Sequence, residues 1–84
     1  MLEIQKEHVP ALIALYVEFD IPTEGLFEDW DKFDEFCEEF NQRNGTGYNR
    51  RKIQSSLKYL RKNPKNGIAR LPRLRRGQLV KLGP

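Results

Sequence analysis

Residues 49–63 read NRRKIQSSLKYLRKN, and the fold turns on how this stretch is read. Ile53, Leu57 and Leu60 recur at four- and three-residue steps, which puts them in one narrow sector of a helix. Arg51, Gln54, Ser55, Lys58 and Lys62 fall on the other side along its whole length. Asn49 is a good helix N-cap, and Tyr48 before it and Ile53 four residues after it stand where a hydrophobic staple would close. Pro64 disfavours helical backbone at Asn63, so the spacing predicts a helix from Arg50 to Lys62.

Upstream, the turn Asn44-Gly45-Thr46-Gly47-Tyr48 stops a second helix, which Thr23 or Gly25 can open and which covers about residues 26–43. Leu26, Trp30, Phe33, Cys37 and Phe40 form its apolar stripe, with Asp31, Asp34, Glu35, Glu38 and Glu39 opposite. A first helix is predicted over about 10–19, with Pro10 at its opening and Asp20, Ile21 and Pro22 ending it. Its apolar residues surround the wheel, which suits a central covered helix or a dimer surface, and a short buried strand is the alternative for so short a run. Downstream, Asn63 to Gly67 is a turn signal. Ile68 to Leu71 and Gln78 to Leu82 read as two short strands joined by a loop with Pro72 and several Arg, a β-hairpin over about 68–82. The expected architecture is one domain over residues 1–84, mostly α with a small C-terminal β-hairpin.

Charge divides the same chain in two. Residues 1–42 carry twelve Asp or Glu against Lys6 and Lys32, a net of −10; residues 43–84 carry thirteen Lys or Arg and no acid, which restores the overall +3. A half without internal acids offers its charge to an outside polyanion or to the acidic half of the same chain. The single Cys37 makes no internal disulfide, no Cys or His pairs stand at zinc spacing, and no apolar run approaches the roughly 20 residues of a bilayer span. A soluble, intracellular (cytoplasmic) protein is expected, with no metal, no cofactor and no membrane partner. Catalysis is not expected either: His8 is the only histidine, Cys37 lies on an apolar stripe, and Gly45-Thr46-Gly47 lacks the spacing and preceding strand of a phosphate-binding loop.

A helix entering a major groove needs one face to pack and the other to offer cations to phosphates and Arg, Gln or Ser to base edges. Arg50, Arg51, Gln54, Ser55, Lys58 and Lys62 supply that set, and Arg70, Arg73, Arg75 and Arg76 in the predicted loop are suited to contacting the nucleic-acid backbone beside it. From Leu26 to Leu82 the order of an acidic helix, a turn, a basic helix and two strands around a basic loop resembles the winged-helix branch of the helix-turn-helix proteins, with a longer, glycine-richer turn. That resemblance implies a winged-helix-like three-helix domain whose basic helix lies in the major groove and whose loop around Arg73 to Arg76 is the wing. The expected partner is nucleic acid, duplex DNA ahead of RNA. The alternative is a protein-protein interaction module using the acidic helix Glu28 to Glu39, or the apolar first helix, to dock a partner or a second copy in a homodimer.

Overall fold

The computed structural model describes residues 2–74. Among these residues a single 3-10 turn, Lys6–His8, leads into four helices: α1 (Val9–Phe19), α2 (Thr23–Glu28), α3 (Trp30–Asn44) and α4 (Arg50–Lys62). Pro10 stands in the first turn of α1, where its missing N–H costs no hydrogen bond. Asp20 ends α1 in the left-handed conformation, φ 57°, and its N–H returns to the Tyr16 carbonyl. The Ala11 to Val17 run is therefore helix and not a buried strand.

A short helix, α2, and a long one, α3, replace the single one expected over 26–43. Asp29 leaves helical geometry, φ −113° and ψ 93°, and its carboxylate accepts the Lys32 N–H at 3.1 Å, so it caps α3 instead of continuing α2. The break restarts the wheel: Phe33, Phe36, Cys37 and Phe40 are buried, while Trp30, assigned to the stripe by its spacing, is 51% exposed. At the other end Gly45 takes φ 63°, which suits a residue without Cβ, and donates its N–H to the Asn41 carbonyl.

The core lies where α1 packs on α3 and where α3 and α2 meet α4. Leu12, Leu15 and Tyr16 enter it from α1, Leu26 from α2, the α3 residues above, and Ile53, Leu57 and Leu60 from α4. Phe33 and Phe36 stack with ring centroids 6.2 Å apart, and Phe27 and Phe19 meet them edge-on at 5.3 and 5.1 Å.

The expected hairpin is corrected. Residues 68–74 form no strand, and none occurs among the described residues; the second predicted strand, 78–82, lies outside them. The physical reason is Asn66. Its Oδ1 accepts the N–H groups of Ile68 and Ala69 at 2.6 and 3.0 Å, and its Nδ2 donates to the carbonyls of Asn63 and Ala69 at 2.6 and 2.8 Å. Backbone groups that a strand would pair across a ladder are thus used locally, and Pro72 has no N–H to give. Among the described residues the architecture is four-helical, not the expected three helices with a hairpin, and Leu71 is buried against the core from an irregular segment.

Candidate nucleic-acid interface

The rotation of α4 is set by its cap and its buried side. Asn49 Oδ1 accepts the Lys52 N–H at 2.9 Å, and Ile53, Ser56, Leu57 and Leu60 face inward. Ser56 is the polar member of that row, and both of its bonds are made: its hydroxyl donates to the Lys52 carbonyl at 2.8 Å and accepts the Glu3 N–H at 3.0 Å. The turn before α4 is fixed by Asn41, whose Nδ2 donates to the Tyr48 carbonyl at 2.8 Å and whose Oδ1 accepts from Thr46 Oγ1 at 2.7 Å and from the Tyr48 N–H at 3.0 Å. Tyr48 in turn meets the single histidine, with Oη 3.0 Å from His8 Nδ1.

Opposite the buried row, Arg51, Lys58 and Lys62 are exposed, with Ser55 and Gln54 half-buried among them. Lys52, which the spacing did not single out, is exposed on the flank. None of these cations has an ion pair among the described residues. The Lys58 ammonium lies 5.8 Å from the centroid of the Phe27 ring, a contact that leaves its hydrogen-bond donors unused.

Three other arginines are held by the acidic half. Arg43 sets its Nη1 and Nη2 on the two carboxylate oxygens of Glu18, at 3.0 and 2.7 Å, and its Nε on Glu39 at 2.6 Å. Those carboxylates raise the Arg43 pKa above its ordinary value, and the Arg43 hydrogen bonds lower that of Glu18. Arg50 donates from Nη1 to Asp34 Oδ1 at 2.6 Å and lies 4.4 Å from the Trp30 ring centroid. Arg61 donates to Thr23 Oγ1 at 3.1 Å and stands 3.9 Å from Glu24. Of the acids expected on one solvated face, Asp34, Glu35 and Glu39 are thus engaged, by Arg50, Lys32 and Arg43.

The candidate residues therefore part company. Arg51, Gln54, Ser55, Lys58 and Lys62 stand along one side of α4; Arg50 is turned toward α3. Arg70 and Arg73 are exposed, but on the irregular segment beside Arg61 and not in a wing; Arg75 and Arg76 lie outside the described residues. Cys37 is buried beneath this arrangement, its thiol pushed up to about 12 by burial, so it is protonated and inert at neutral pH. No described helix is long and apolar enough to cross a membrane. No protein-family model, curated protein or solved structure matches the chain.

Proposed function

We propose that this domain is a non-enzymatic nucleic-acid-binding module that presents α4 to duplex DNA. One observation carries the reading: α4 has no acid, and the cations facing away from its buried row, Arg51, Lys58 and Lys62, have no ion pair among the described residues, whereas Arg43, Arg50 and Arg61 are engaged by carboxylates of the first half. The thirteen residues of α4 extend about 20 Å at ~1.5 Å per residue. A helix with side chains, roughly 10–12 Å across, matches the ~12 Å major groove of B-DNA, while the A-form groove of RNA is too narrow for side chains to read. Lys58 and Lys62 would take phosphates; Arg51 and Gln54 are placed to reach base edges near the start of the helix. Acids on α3 repel phosphate and orient the approach.

The order of acidic α3, turn and basic α4 supports a likeness to helix-turn-helix proteins in polarity. Fluorescence anisotropy with a labelled duplex, from low to physiological salt, tests the proposal. Binding that weakens steeply as salt rises is expected; no binding at low salt would refute it.

A second reading has its own observation. Trp30 and Val17, 51% and 48% exposed, are large apolar side chains left at the surface, and Trp and Arg together mark many protein contacts. A protein partner docked on Trp30 and Arg50 predicts that charge reversal at Glu35 and Glu38 abolishes a pull-down that Arg51→Ala with Lys58→Ala leaves intact.

A further inference from the structure

The end of α4, the start of α2 and the segment after Pro64 enclose a cleft of about 550 Å³. Among the described residues its cations are Arg61, Arg70 and Arg73, and its only acid is Glu24. Tyr16 lines it from α1, and Pro22 and Pro72 give it apolar walls. The inner part is braced: Arg61 donates to Thr23 Oγ1, and the Thr23 N–H donates to the buried Tyr16 hydroxyl at 3.0 Å. Arg70 and Arg73 are exposed and make no ion pair among the described residues.

The composition specifies a ligand class. Three guanidinium groups against one carboxylate leave a net of about +2, which matches the roughly −1.5 to −2 of a phosphomonoester at neutral pH. Guanidinium groups grip such a group through paired N–H donors, and flat apolar walls suit a ring system beside it. The volume lies within the range of small-molecule sites, enough for one nucleotide.

We propose that this cleft binds a phosphomonoester of nucleotide size, the terminal phosphate of a nucleic-acid strand or that of a free nucleotide, between Arg61, Arg70 and Arg73. The choice of nucleotide rests on the nucleic-acid reading of α4; the phosphate site itself rests on the cleft.

The test is calorimetric titration of the full chain with a short duplex bearing 5′-phosphates and with the same duplex bearing 5′-hydroxyls. The phosphorylated duplex should bind about tenfold tighter, as a charge-assisted contact gives. Arg70→Ala combined with Arg73→Ala should bring that ratio close to one, while Arg51→Ala combined with Lys58→Ala should weaken both duplexes and keep the ratio. Equal affinity of the two duplexes for the unmodified chain, or an unchanged ratio in the Arg70, Arg73 variant, overturns the proposal. Adenosine monophosphate followed by amide NMR separates the sources: shifts at Thr23 and Leu71 from the mononucleotide alone extend the site to free nucleotides. The same shifts without binding of either duplex sink the α4 reading and keep the cleft. A phosphoserine peptide that moves these amides more strongly than the nucleotide overturns the assignment.

Discussion

Arg50 places its guanidinium 2.6 Å from Asp34 and 4.4 Å from the centre of the Trp30 ring, so the first basic residue of α4 is bound to α3, while Arg51 beside it has no ion pair among the described residues. Neighbours in sequence thus have different work. Arg50→Ala should lower unfolding free energy by about 0.5–1.5 kcal/mol, the sum expected of an exposed ion pair and a cation–π contact. Arg51→Ala should change it by less than ~0.5 kcal/mol, as substitutions away from structural contacts do. Urea unfolding of both variants decides, and equal losses would contradict the division.

Asn41 is the brace between α3 and α4. Asn41→Ala removes three side-chain hydrogen bonds to Thr46 and Tyr48, and should cost about 1–3 kcal/mol because half-buried backbone groups lose their partners. Chemical denaturation would show it; a loss below ~0.5 kcal/mol would mean that water replaces the side chain.

Asn66→Ala tests the account of the C-terminal segment. Without the carboxamide, the N–H groups of Ile68 and Ala69 have no acceptor in the turn, and their amide exchange should accelerate at least tenfold while that of Leu57 is unchanged. Exchange that stays slow at both positions would point to a different partner for these groups, such as a strand.

Burial of Cys37 has a pH consequence. In the unfolded chain the thiol titrates near its ordinary value of 9.0, and in the folded domain it is pushed up to about 12 by burial. Between those values the unfolded chain loses the proton that the folded domain keeps, so this contribution to stability is complete below pH 9 and is lost as pH rises toward 12. Tyr16, raised by its own burial, adds in the same direction at higher pH. Iodoacetamide should label Cys37 at pH 8 only in denaturant, a result readable by mass; rapid labelling of the folded chain would contradict the burial.

What the sequence made legible follows from which interactions are local. Helix α4 was readable to the residue, because Asn49, the Ile53, Leu57, Leu60 period and Pro64 all act within one element. The break at Asp29 was not, because Leu26, Trp30 and Phe33 keep an unbroken helical spacing across it; the one local signal was an aspartate able to cap the next turn. The same break turns Trp30 outward and Phe36 inward, against that spacing. The apolar run Ile68 to Leu71 has the composition of a strand, but Asn66 takes the N–H groups of Ile68 and Ala69, a use of the backbone that apolar composition does not display. Which cations are free was illegible for another reason: Arg50 and Arg61 meet partners sixteen and thirty-eight residues away, which only the packed fold brings near.

The central claim is that the unpaired side of α4 meets duplex DNA, with Lys58 and Lys62 on phosphates and Arg51 at base edges. The salt dependence of duplex affinity measures this directly, since each lost phosphate contact reduces the log-log slope by about 0.9. For the variant carrying Arg51→Ala, Lys58→Ala and Lys62→Ala, the slope should fall in magnitude by about 2 relative to the unmodified chain, from the loss of the two lysine contacts, while Arg50→Ala leaves it unchanged. A triple variant with the parental slope and affinity would contradict the account.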